Sequence, residues 1–352
     1  MTTQKIDRAN IAGICCALPG EAIAINDLNS SHNEKELKKF TKMTGVQTVY
    51  RVQKGQTTSD LCLAAAEKLL ADLKWDRSSI DGLVFISQTP DYVLPATSCI
   101  LQDKLGLSTS SFAFDINLGC SGFVYGTWIV SKLLSPTCRR VLLLNGDTSS
   151  RIISPEDASV SLLFGDAGAA TAFEYNENAT KSSFILGTDG SGYNRLIVPG
   201  GSGRNPRDSQ THIRKQDHDG VIRSKDDLYM NGIEIFNFTL KEVQPLIQSI
   251  LDVHGWSEED VDYYILHQAN KFLLEQLTRK FGVSKEKVPI NIQDYGNTSS
   301  ASIPLMLVDV LKERNPQDKD LNLVLAGFGV GLSWAAAAIN ISKTICSDLV
   351  YV

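Results

Sequence analysis

The sequence predicts an α/β protein built from two similar halves, and three observations carry that expectation. Short apolar runs alternate with amphipathic helical stretches, the rhythm of strands and helices in an α/β sheet. The 352 residues exceed what one hydrophobic core usually supports, so two cores are expected. The rhythm also begins again past mid-chain. A junction near Glu174 to Lys181 divides the chain into residues 1–177 and 178–352.

In the first half, Ile11 to Leu18 is an apolar run closed by Pro19-Gly20, a strand and its turn. A charged helix is expected from Asn33 to Lys42. Ser59-Asp60 can cap a helix whose apolar positions Leu61, Ala64, Ala65, Leu69 and Leu73 share one face. Gly82 to Ser87, Phe112 to Ile116, Arg140 to Asn145 and Ala167 to Tyr175 read as strands, and Phe123 to Leu134 as a helix apolar on all sides.

In the second half, Ser183 to Gly187 is a strand, and Gly232 to His254 is helical with Pro245 expected to kink or divide it. Tyr263 to His267, Leu321 to Ala326 and Leu332 to Ile341 read as strands; Lys271 to Phe281 and Ile303 to Arg314 read as helices. Between them, Val198 to Gly220 is a polar loop long enough to form a lid or an exposed excursion. Its His212 and His218 lie among charges, so solvent exposure is expected over metal binding.

Hydrophobic residues at 43% and charged residues at 21% describe an ordinary folded protein. The net charge of −6, without a Lys/Arg block, argues against a nucleic-acid surface, so an anionic partner has to bind locally. The polar first ten residues lack the apolar core of a secretory signal, and no run is long enough to span a bilayer. Cys15, Cys16, Cys62, Cys99, Cys120, Cys138 and Cys346 lack disulfide-framework or zinc spacing, so reduced thiols in a cytoplasm are expected.

Four segments carry candidate chemistry. "DINLGCSGFVYG" holds Cys120 between glycines at a strand-to-helix turn, where free backbone N–H groups and the helix dipole favour a thiolate. An ordinary buried cysteine is the alternative. "YYILHQAN" puts His267 past a strand at a helix start, the slot Cys120 occupies in the first half, and "DYGNTSSASIPL" puts Asn297 at a turn. A satisfied core histidine and an ordinary cap residue are the alternatives there. All three fall at carboxyl ends of strands, where open α/β sheets bind ligands, which favours one shared site. "LVLAGFGVGLSW" places Gly327, Gly329 and Gly331 after a strand in a spacing that lacks the third glycine of a dinucleotide loop. A close backbone approach, with a free N–H aimed at a developing oxyanion, fits it better.

Cys120 in "GCSGF", His267 in "HQAN", Asn297 in "GNTSSAS" and the terminal "GFGVGLSW" together resemble β-ketoacyl-acyl carrier protein synthase III, of the thiolase superfamily. "LFGDAGAA" from Leu163 and "MNGIEIF" from Met230 extend the resemblance over nearly the whole chain. It implies a thiolase-like fold, two similar α/β halves in a layered α-β-α-β-α core. It also implies that Cys120 takes an acyl group from a thioester, and that His267 and Asn297 hydrogen-bond the enolate left when a malonyl thioester loses carbon dioxide. The backbone N–H groups of Cys120 and Val330 would form the oxyanion hole. Leu94, Phe164, Phe236 and Phe328 would bound the acyl pocket, with Leu94 reaching the site of a homodimeric partner. Lys271, Arg279 and Lys280 would dock acyl carrier protein. No metal and no cofactor is implied beyond thioesters of coenzyme A or phosphopantetheine. Two enzymatic alternatives are an acyltransferase to an alcohol or amine without decarboxylation, and a chalcone-synthase-like enzyme, which shares Cys-His-Asn; a non-catalytic scaffold is a third.

The departures concern the substrate. Lys39 and Met43 stand where the family commonly has Trp and Arg for the adenine end of coenzyme A, Ala158 replaces a second arginine, and Phe272 occupies an often basic docking position. These losses point to a donor carried on protein or to a specialised thioester, unless Arg151 or the basic loop after Gly203 has taken over the nucleotide contacts.

Overall fold

The computed structural model describes residues 2–28, 34–217, 220–312 and 320–352. Asn33, His218 and Arg314, named above, lie outside the described residues. Along the chain the principal elements are β1 (Thr2–Ile6), β2 (Ala9–Leu18), α1 (Glu34–Thr44), α2 (Thr58–Leu73), β3 (Gly82–Ile86), α3 (Thr97–Lys104), β4 (Phe112–Ile116), α4 (Gly122–Leu133), β5 (Arg140–Asp147), α5 (Ala158–Ser161) and β6 (Ala167–Tyr175). They continue with β7 (Ser182–Thr188), α6 (Gly232–His254), β8 (Tyr263–Leu266), α7 (Lys271–Phe281), α8 (Ser302–Lys312), β9 (Leu321–Gly329), β10 (Ser333–Ile341), β11 (Ile345–Cys346) and β12 (Val350–Tyr351).

These strands form two principal sheets. One is seven-stranded in the order β11-β2-β6-β5-β3-β4, with β12 also on β2; the other is five-stranded in the order β1-β7-β10-β9-β8. Within the first, β2 is antiparallel to β6, β6 to β5, and β5 is parallel to β3. Within the second, β7 is antiparallel to β10, β10 to β9, and β9 is parallel to β8. The same order and sense thus occur twice, which makes the two α/β halves structurally similar. The terminal strands cross over: β1 joins the second sheet, and β11 and β12 join the first.

Helix burial sets the layers. Residues of α4 and α8, including Phe123, Val130, Ile303 and Leu307, share one core with inward residues of both sheets, such as Leu143 and Leu325. That pair is therefore the middle layer, and its apolar all-round character follows from burial on both sides. Helices α2 and α3 cover the outer face of the first sheet, and α6 and α7 the outer face of the second. The result is the α-β-α-β-α stack.

Two local expectations change. The cap of α2 is Thr57, whose N–H donates to Asp60 at 2.9 Å, so the cap lies two residues before Ser59 and Asp60 serves as its partner inside the first turn. Helix α6 runs undivided through Pro245, because that residue sits on the exposed side, where water can satisfy the carbonyl that proline leaves without a donor. The polar excursion is largely exposed and pinned by ion pairs, Arg207–Asp226 at 2.9 Å, Arg214–Asp227 at 3.0 Å and Asp217–Arg223 at 3.3 Å.

Candidate active site

Cys120 lies between the end of β4 and the start of α4, buried at 6% exposure. The end of β9 presses against it so closely that a Cβ on Gly327 would meet the Cys120 carbonyl at 2.6 Å, and one on Gly329 would meet Sγ at 3.1 Å. Only glycine allows that approach, which explains the first two glycines of "GFGVG". The Cys120 and Val330 N–H groups both bond the thiol, and the Ser299 hydroxyl stands 4.0 Å from Sγ.

Burial nevertheless pushes the Cys120 thiol up to about 12, with the charge of Asp147 adding to the rise and the three hydrogen-bond donors opposing it. The expectation that a helix start would favour a thiolate is therefore outweighed in the free protein. Desolvation acts on the whole charge, whereas the dipole of one helix end is equivalent to about half a charge.

His267 follows β8, and Nδ1 lies 2.7 Å from the Ser302 hydroxyl. Its ring packs edge-on against Phe328 with centroids 5.6 Å apart. Burial lowers its pKa to about 3, so the imidazole is neutral across the physiological range. The single hydrogen of Ser302 selects the tautomer. Turned to the Ser299 carbonyl, 2.9 Å away, the hydroxyl accepts from Nδ1–H; turned to Nδ1, it leaves the N–H on Nε2. The strand before His267 matches β3 in its sheet, not β4, so His267 does not occupy the Cys120 slot as the sequence suggested.

Asn297 is held through its backbone. Its N–H donates to the Leu163 carbonyl at 2.8 Å, and its own carbonyl accepts from Gly165 at 3.1 Å, forming a bridge beside Phe164. The preceding Gly296 has φ of 68° and would carry a Cβ 2.7 Å from the Leu163 carbonyl, so glycine is required there. The Asn297 Oδ1 accepts the Ser299 N–H at 2.9 Å, which leaves the amide NH2 as the outward donor.

Ser299, held at φ of 51°, is the common neighbour. Its N–H reaches Asn297, its hydroxyl faces Cys120, and its carbonyl faces His267. The three sequence candidates are thus brought together around one serine. Sequence reasoning missed Ser299, Ser302 and Asp147; the only available signal was a charge in "NGDTSS" at the end of an apolar strand.

The other candidates divide. Phe164 and Phe328 border the Asn297 and His267 residues. Phe236 instead stacks on the exposed Phe272, 5.7 Å between centroids, at the rim between α6 and α7. Leu94 is 79% exposed, beside Val93 at 99%, so it lies outside this chain's own core. Lys271, Arg279 and Lys280 are exposed on α7, but the Lys280 Nζ donates to the Leu240 carbonyl at 3.2 Å.

Family models for "3-Oxoacyl-[acyl-carrier-protein (ACP)] synthase III" match residues 114–190 and, for its C-terminal part, 251–341. A putative 3-oxoacyl-[acyl-carrier-protein] synthase 3 of Campylobacter jejuni is 33% identical over 340 residues, spanning 96% of this chain and 95% of that one. The chain belongs to the 3-oxoacyl-[acyl-carrier-protein] synthase III family. Synthase III of Caldanaerobacter subterraneus is 33% identical over 95% of this chain and 98% of its own. The crystal structure of a 3-oxoacyl-(acyl-carrier protein) synthase from Burkholderia xenovorans superposes with a TM-score of 0.93 at 41% identity, covering 100% and 99% of the two chains. As a synthase III family member the protein is a transferase of the condensing type with a thiolase fold.

Proposed function

We propose that the protein condenses a Cys120-bound acyl group with a malonyl thioester on acyl carrier protein, releasing carbon dioxide and a β-ketoacyl thioester. The observation that carries this reading is the convergence of Cys120, His267 and Asn297 on Ser299, with two backbone N–H groups at the thiol. In the first step the Cys120 sulfur attacks the donor carbonyl, the two N–H groups hold the oxyanion, and the departing thiolate leaves with the proton lost by Cys120. In the second, the malonyl carboxylate departs as carbon dioxide and its electron pair forms an enolate. The Asn297 amide and a His267 Nε2–H donate to the enolate oxygen. The enolate carbon then attacks the acyl-Cys120 carbonyl and expels the Cys120 sulfur as a thiolate, which takes a proton from solvent.

A carrier-borne donor is favoured over coenzyme A by what surrounds the altered positions. Met43 is 52% exposed and offers no charge. Arg151 donates to the Gln53 and Gln56 carbonyls, and Arg207 and Arg214 are committed to carboxylates, so three of the basic residues that could replace the missing nucleotide contacts are engaged within the chain. Lys271 and Arg279 remain to attract an acidic carrier protein, and the relatives' names specify an acyl carrier protein. A homodimer is supported by the outer edge of β4, which among the described residues pairs only with β3, and by the exposed Tyr92, Val93 and Leu94. Seven free cysteines fit a reducing cytoplasm.

Intact mass after incubation with one acyl group on coenzyme A and on carrier protein tests the first step, and carbon dioxide release from malonyl carrier protein tests the second. Cys120→Ala should show no adduct, with the fold retained. An adduct that persists on this variant, or acyl transfer without carbon dioxide release, refutes the reading.

A further inference from the structure

Beneath the nucleophile lies a carboxylate that this reaction scheme leaves unused. Asp147 ends β5 and is 2% exposed. Its Oδ1 accepts the Gln88 N–H at 2.7 Å and the Ser87 hydroxyl at 3.3 Å. Its Oδ2 accepts the Ser300 N–H at 3.1 Å and the Ser300 hydroxyl at 2.7 Å, and the Ser299 hydroxyl can turn its one hydrogen either to this carboxylate or to the Cys120 sulfur. Burial raises the Asp147 carboxyl above its ordinary range, and these donors oppose that rise in favour of the ionised form, because each oxygen faces a backbone N–H that cannot accept a proton in return. No basic side chain is among these partners, and an uncompensated charge in a buried site acts strongly on its neighbours.

Those neighbours form the candidate active site. Asp147 grips Ser299 and Ser300, and Ser299 in turn contacts Asn297, His267 and Cys120. Gln88, bonded to the same carboxylate, also packs beside the glycine preceding Cys120: a Cβ on Gly119 would lie 2.4 Å from Gln88 Oε1. One carboxylate thus ties the ends of β3 and β5 to both the cysteine turn and the asparagine turn.

We propose that Asp147 is a positioning residue: it fixes the Ser299-Ser300 turn on which Cys120, His267 and Asn297 converge, and its negative charge opposes a second negative charge on the Cys120 sulfur. The other titratable groups facing this pair are neutral. His267 at the end of β8 is a buried, unprotonated imidazole, and the Cys62 thiol on α2, behind β5, is pushed up to about 12 by burial. β3 contributes only Ser87 and Gln88 to the carboxylate, and the glycine loop after β9 offers backbone. An acylated Cys120 has no proton to lose, so the repulsion opposes the free thiolate and not the acyl-enzyme. This inference deepens the reading of Cys120 as nucleophile.

The test is the pH profile of Cys120 carbamidomethylation by iodoacetamide on the full chain, followed by peptide mass, with the exposed Cys99 as internal reference. Asp147→Asn removes the charge at nearly constant shape. Its profile should move at least one pH unit lower, which is about tenfold faster alkylation on the rising limb. Ser299→Gly keeps the left-handed backbone and removes a hydroxyl hydrogen that offsets either the thiolate or the Asp147 charge; either loss disfavours the thiolate, so its profile should move to higher pH. An Asp147→Asn profile that coincides with the parent's, or lies above it, overturns the proposal. Should that variant fail to fold, a Ser299→Gly profile that coincides with the parent's or moves lower does the same. Alkylation reads the thiol without any condensation, so failure of the condensing function would leave these profiles standing.

Discussion

The neutral state of His267 is decided by where its ring sits. Enclosed by Phe328 and the 299–302 turn, it is lowered from 6.5 to about 3, so protonation is disfavoured in the folded chain but not in the unfolded one. The stabilisation is fully present above pH 6.5 and is lost as pH falls from there toward 3, at up to about 1.4 kcal/mol per pH unit for one proton. Urea unfolding of His267→Asn should therefore change less between pH 7 and 5 than that of the parent. Parallel curves would show that the imidazole is solvated. Cys120 illustrates the same physics with opposite consequence: desolvation, which no local motif announces, sets its acidity against the helix that follows it.

Elements form where local signals and burial agree. Strand β4 matches its apolar run, Phe112 to Ile116, because all five residues pair in register with β3; β9 runs three residues beyond Ala326, since Gly327 to Gly329 pair with β10 while approaching Cys120. Helix α2 depends on its first turn, where Asp60 accepts from the Thr57 N–H and hydroxyl at 2.9 Å and 3.0 Å. Asp60→Ala should destabilise the chain by about 1 kcal/mol, read as a lower thermal midpoint with the fold retained. An unchanged midpoint would mean that the apolar face of α2, with Leu61, Ala65 and Leu69 fully buried, suffices without the cap.

At the scale of the whole molecule, two sheets of like topology trap α4 and α8 between them, and the active-site turns lead into these two helices. The same arrangement leaves Tyr92, Val93 and Leu94 exposed on one side. Val93→Asp should weaken self-association by at least tenfold in sedimentation, since a charge would enter an apolar contact. A parent that sediments as a monomer at micromolar concentration removes this reading of the loop.

The sequence alone determined the alternation of strands and helices, the position of the longer apolar strands within a few residues though not of β1, β11 and β12, and the three motifs bearing Cys120, His267 and Asn297, because hydrophobic periodicity and turn glycines are local properties of the chain. Only the tertiary structure decided that Ser299 joins those three residues, that Asp147 lies behind them, and that Phe236 faces Phe272. Ser299 lies 179 residues from Cys120, and Asp147 lies 153 from Ser300. Such pairings follow from how two sheets close on a shared layer of helices, and the hydrogen bonds, burial and pKa shifts that they produce have no signature in any single stretch of sequence.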